Sequence, residues 1–115
     1  MKKYIIMILA VLGVAFSNQA QEKKNKNAKA DVEVKGNCDM CKKRIEKAAF
    51  GVKGVKSATW HSEDQILHLI IDENKTDVLK VQKAVAEAGH DTKEVKSSQD
   101  DYEDLHFCCQ YDRES

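Results

Sequence analysis

The sequence predicts an α+β sandwich in which a four-stranded antiparallel sheet carries two helices on one face. Three observations lead there. Between Asp31 and Ser97 the apolar residues switch between a two-residue and a helical period in the order strand, helix, strand, strand, helix, strand. Glycines punctuate the changes of period, at Gly51, Gly54 and Gly89. The chain has 115 residues, room for one small domain. This βαββαβ order is the split β-α-β arrangement of ferredoxin-like folds.

Each element follows from local pattern. Asp31 to Gly36 alternates polar and apolar through Val32 and Val34, as a half-buried strand does. From Cys41 to Phe50 the spacing becomes helical, with Ile45, Ala48, Ala49 and Val52 on one face. Gly51 and Gly54 then supply a stop and a turn. Val55 to His61 and Ile66 to Asp72 form a hairpin joined across Ser62, Glu63, Asp64 and Gln65. Thr76 is placed to cap a second helix with Asp77 in its first turn; Val78, Val81, Val85 and Ala88 make its stripe before Gly89 ends it. Asp91 to Lys96 is a weak final strand resting mainly on Val95.

The flanks are of a different character. Lys2 and Lys3 precede an uncharged apolar run from Tyr4 to Phe16 and the small or polar residues Ser17 to Ala20, the layout of a secretory signal peptide over residues 1–20. An apolar run of that length spans roughly 20 Å as a helix, short of the ~30 Å hydrocarbon core. Export to the periplasm and removal are expected, with no membrane attachment afterwards. No cysteine precedes Cys38, so no lipid anchor is expected at the processing site. Residues 21–30 read as a flexible, lysine-rich leader, residues 31–97 as the domain, and residues 98–115 as an acidic extension with six acids and the single base Arg113. Leu105, Phe107 and the tyrosines give that extension enough apolar surface to pack on the domain.

Composition narrows the function. With 42% hydrophobic and 33% charged residues the chain is too apolar for wholesale disorder, and it is too small for an enzyme with its own deep cleft. Nineteen basic residues balance nineteen acidic ones, which argues against nucleic-acid binding.

The chemistry lies in Cys38 and Cys41, at CxxC spacing where the first strand gives way to the first helix. A helix N-terminus favours thiolate. Two thiolates close together suit a soft ion such as Cu(I), with Zn(II), Hg(II) or Cd(II) as alternatives. Lys42, Lys43 and Arg44 stand next in sequence as charges to offset a bis-thiolate site. Two cysteines in the loop do not make a closed four-ligand zinc site, so an open, exchangeable one is expected.

The run Val34-Lys-Gly-Asn-Cys-Asp-Met-Cys-Lys-Lys-Arg-Ile-Glu46, followed by Gly51-Val-Lys-Gly-Val55 and Ala84-Val-Ala-Glu-Ala-Gly-His90, resembles the heavy-metal-associated domain family. That family includes copper chaperones, metal-binding domains of metal-exporting ATPases and periplasmic mercury-binding proteins. The resemblance covers roughly Asp31 to Ser97. It implies that Cys38 and Cys41 bind the metal and pass it on by ligand exchange, to a metal-transporting ATPase or another domain of the same kind. Metal-bridged dimers through the exposed loop are a further expectation. Two departures stand out: Gly36-Asn37-Cys38 is one residue shorter than the family's usual Gly-Met-Thr-Cys, and Met40 sits between the cysteines. Where many members have Tyr, Phe or Lys after the glycine ending the second helix, this chain has His90, a candidate third ligand, a hydrogen-bond donor to a thiolate, or a plain loop histidine.

The remaining candidates have bland alternatives. Met40 is expected as a hydrophobic plug beneath the loop, and Trp60 as a sheet or edge residue. His61 and His68 are expected on the surface of the central hairpin. Cys108 and Cys109 are candidate ligands of a second site or of a completed first one, or else partners in disulfides. The competing functional reading is a small thiol–disulfide oxidoreductase using Cys38 and Cys41. Thioredoxin-like redox proteins place a cis-proline against their CxxC, and this chain has no proline.

Overall fold

The computed structural model describes residues 24–113. The signal peptide expected over residues 1–20 lies outside them. Strand β1 spans Ala28–Glu33, helix α1 Asp39–Phe50, β2 Val55–His61, β3 Ile66–Ile71, α2 Val78–Glu87 and a short α3 Gln99–Glu103. A single 3₁₀ turn over Phe107–Cys109 follows. Among the described residues no helix is long and apolar enough to cross a membrane.

The sheet has three strands in the order β1-β3-β2, all antiparallel. Its register puts Val32 and Trp60 either side of Leu67, Ala30 and Ala58 either side of Leu69, and Ala28 and Val55 either side of Ile71. Because side chains alternate across a strand, these rows share one face. That face meets Cys41, Ile45 and Ala49 of α1 and Val81 and Val85 of α2 in one core. The other face presents Asp31, Thr59 and His68 in a cross-strand row.

The expected fourth strand is replaced by a single bridge between Val34 and Thr92. Two hydrogen bonds flank it, from the Lys35 amide to the Asp91 carbonyl (2.9 Å) and from the Lys93 amide to the Glu33 carbonyl (3.0 Å). The ladder then stops because the chain turns. The Thr92 amide donates to the Val95 carbonyl, the Val95 amide donates to the Thr92 hydroxyl, and the Glu94 amide is taken by Gln82 Oε1 at 2.9 Å. Amides spent on a turn are not available to a sheet edge.

Other boundaries also shift. β1 begins at Ala28, inside the stretch read as leader, since Ala28 and Ala30 pack against the core. Asp77, not Thr76, caps α2, accepting from the Lys80 amide at 2.8 Å, while Thr76 is buried beneath. The extension is folded onto the domain: Leu105, Cys109 and Tyr111 join the core, whereas Phe107 is 81% exposed.

Candidate metal centre

β1 ends one turn short of α1, and the loop between them has a floor. Trp60, fully buried, donates from Nε1 to the Val34 carbonyl at 3.0 Å. A Cβ at Gly36 would lie 3.1 Å from the Trp60 ring and from Cys41 Cβ, so glycine lets the loop run against the indole. Gln65 ties the loop to the hairpin turn: its carbonyl accepts the Val34 amide at 2.9 Å and its Oε1 the Gly36 amide at 3.0 Å. Its backbone is left-handed, φ 61°, a conformation rare for a residue with a Cβ.

Cys38 occupies the N-cap position of α1 and Cys41 lies in its first turn, buried. Their sulfurs are 3.7 Å apart. The amide of Cys41, foremost, draws the Cys38 thiol down to about 7 against the opposing cost of desolvation, and the Met40 amide adds to it. At neutral pH this sulfur is substantially thiolate, the form of a cysteine able to attack an electrophile or hold a metal.

The extension brings the other two cysteines to the same place. Cys109 Sγ lies 3.9 Å from Cys38 Sγ and 4.0 Å from Cys108 Sγ. The sulfurs of Cys38, Cys108 and Cys109 all fall within 4.8 Å of one another. All four thiols are free, at separations far beyond the ~2.05 Å of a disulfide. Burial above all, and then the neighbouring Cys41 thiol, raise the Cys109 pKa well above the ordinary thiol range.

Contacts on both sides of the cysteines hold the extension down. Tyr111, its hydroxyl pushed up to about 12 by burial, accepts the Asp91 amide at 2.6 Å and donates to the Gly89 carbonyl at 2.9 Å. Arg113 forks onto the buried Asp91 carboxylate at 2.9 and 3.0 Å and donates to the Ser97 carbonyl at 2.6 Å. Its guanidinium also lies 4.9 Å from the centre of the Tyr102 ring. Leu105 covers Gly89, whose φ of 108° and missing Cβ allow the contact.

The structure corrects several expectations. His90 is fully buried rather than a plain loop histidine, and it is not one of the three residues, Cys38, Cys108 and Cys109, whose ligand atoms cluster. Its Nδ1 lies 2.8 Å from the Lys35 carbonyl, which only accepts, so the proton sits on Nδ1 and the unpartnered Nε2 bears the lone pair. Burial lowers its pKa, with Arg44 acting in the same sense against the Lys35 carbonyl. The ring stacks on Tyr111 at 5.7 Å, a positioning contact for the extension rather than a bond to a thiolate. Met40 is no plug: it is 46% exposed, with its sulfur 3.6 Å from that of Cys108. Lys42 is turned from the thiols to Glu46 (2.7 Å) and the Trp60 carbonyl (2.9 Å). His61 and His68 lie on the open sheet face, where His68 pairs with Asp31 at 2.8 Å. Sequence reading missed the floor made by Trp60 and Gln65 and the Asp91–Arg113 clasp; these residues act through long-range contacts that no local spacing signals.

No protein-family model matches the chain, and no curated protein sequence matches it. Solved structures do. The chain is similar to the CopZ metallochaperone, with 27% identity, a TM-score of 0.55, and 56% of this chain and 98% of that one covered. It is similar to the N-terminal domain of a potential copper-translocating P-type ATPase from Bacillus subtilis in the Cu(I)-loaded state, at 25% identity and TM-score 0.55 over 58% and 85% of the two chains. A third is oxidised MerP from Ralstonia metallidurans CH34, at 29% identity and TM-score 0.50 over 57% and 96%.

Proposed function

We propose, from the chain's membership of the heavy-metal-associated domain family, that this protein is an exported carrier that binds one soft ion through Cys38 and Cys41 and relays or sequesters it. Cu(I) is the ion favoured by thiolate softness. The observation that carries the reading is the pair of sulfurs 3.7 Å apart at the start of α1, one of them with its pKa drawn down to about 7. Metal is cargo here, and each protein step is an exchange of sulfurs. A partner thiolate displaces one cysteine while the other still holds the ion, so the ion is never released to water. The partner class that fits is a second domain or transporter presenting its own thiolate pair, as the similarity to a domain of a potential copper-translocating ATPase suggests. Export rests on the charged and apolar N-terminal run.

Anaerobic titration of the reduced full-length protein with Cu(I) against a competing chelator tests this. Stoichiometric, chelator-resistant uptake is expected for the wild type, and its loss in Cys38→Ser. Wild-type affinity in that variant moves the site from the CxxC pair to Cys108 and Cys109, whereas catalytic reduction of a protein disulfide without Cu(I) uptake overturns the carrier reading in favour of an oxidoreductase.

A further inference from the structure

Cys38 has sulfur neighbours on its own helix and on the extension. Cys41 lies 3.7 Å from it and Cys109 3.9 Å, Cys109 also meeting the Cys41 thiol, with Cys108 4.0 Å from Cys109. Three thiolates around an ion at about 2.3 Å stand roughly 4.0 Å apart, whereas two thiolates on opposite sides of one stand roughly 4.6 Å apart. The Cys38–Cys109 and Cys108–Cys109 edges of the group match the three-thiolate spacing, and its third edge is within 4.8 Å. The 3.7 Å pair is too close for the two-sulfur arrangement unless it opens. The extension is also fixed independently of any ion, by Tyr111 and Arg113 on one side of the cysteines and Leu105 on the other.

We infer that Cys108 and Cys109 form with Cys38 a second, three-thiolate seat for a thiophilic d10 ion, which competes within the same molecule with the Cys38–Cys41 exchange pair. This rests on the carrier reading above and adds regulation to it. An ion captured by Cys38 and Cys41 passes to the holding seat when its bond to Cys41 breaks and bonds to Cys108 and Cys109 form; their two thiol protons leave to water or to the Cys41 thiolate. Bonds to the ion change and no electrons are transferred. Release to a partner requires the reverse exchange, so the extension turns a relay into a store until a stronger acceptor arrives.

Cu(I) alone is the probe, with chelator competition and a count of sulfurs per copper by X-ray absorption on the full-length protein. The wild type is expected to show three sulfurs. Cys41→Ala is expected to retain three sulfurs and near wild-type affinity, and the Cys108→Ser, Cys109→Ser double variant to fall to two with at least about tenfold weaker binding. Two sulfurs in the wild type, or loss of binding in Cys41→Ala while the double variant binds as tightly as wild type, overturns the holding seat and leaves the carrier reading standing. Binding in Cys41→Ala with none in the double variant keeps the holding seat and overturns the exchange pair. Should the double variant detach the extension, the wild-type count and Cys41→Ala decide alone, since both leave it intact.

Discussion

The two cysteine pairs meet at one point but are brought there by different physics. Cys38 and Cys41 are neighbours because one helical turn joins them, and the amides of that helix start do most to stabilise the Cys38 thiolate. Cys108 and Cys109 arrive from some 70 residues away, and nothing local holds them there. Their position depends on Leu105 over Gly89, Tyr111 between Gly89 and Asp91, and Arg113 on Asp91. The spacing of the first pair is therefore set within its own turn, with Trp60 beneath its loop, while the second is as secure as its clasp. Thiol character differs accordingly: the helix start lowers one pKa and burial raises the other.

The largest effect should come from the floor that supports the first pair. Trp60→Ala removes a fully buried indole and its bond to Val34, and is expected to cost about 3–5 kcal/mol in a urea unfolding series. A loss under about 1 kcal/mol would mean that the loop does not rest on Trp60. Next comes the clasp. Arg113→Met leaves the Asp91 carboxylate, 3% exposed, without its ion-pair partner and with the Ser97 amide still donating to it, and is expected to cost about 3 kcal/mol in the docking of the extension. Native-state hydrogen exchange should show faster exchange at the Cys109 and Tyr111 amides with β3 unchanged; uniform acceleration would show that extension and domain unfold as one. The smallest effect is chemical. Iodoacetamide reacts with thiolate, so alkylation of Cys38 in the reduced apoprotein should rise with pH through a midpoint of about 7, with Cys109 unreactive across that range. Equal rates at the two sulfurs would erase the contrast between the pairs.

How much of this was legible in the sequence depends on how far apart the deciding residues lie. The second and third strands, helices α1 and α2 and the CxxC at a helix start were readable because each is set by a spacing of two to four residues; the short α3 was not anticipated. His61 and His68 were readable as surface residues for the same reason, since alternation along the strands puts both on the open sheet face. The final strand failed because Val95 satisfied the pattern, while Thr92 and Gln82 took the amides it needed. His90 was placed beside the loop by its position after Gly89, and there its proton is committed to the Lys35 carbonyl and its ring to Tyr111. Met40 looked like core by its chemistry but falls on the outward face of α1 with Asp39 and Lys43, while Cys41 beside it faces the core.

By itself the sequence determined the helical and strand periods, the glycine stops and the thiolate pair, because hydrogen bonds within a turn and alternation along a strand act between near neighbours. Tertiary structure alone decided that four sulfurs share one place, that His90 is buried against Lys35 and Tyr111, and that the sheet has three strands among the described residues. Those outcomes turn on which distant groups satisfy a buried carboxylate, a hydroxyl and a few amides, and a buried polar group takes whichever partner the folded chain puts within reach.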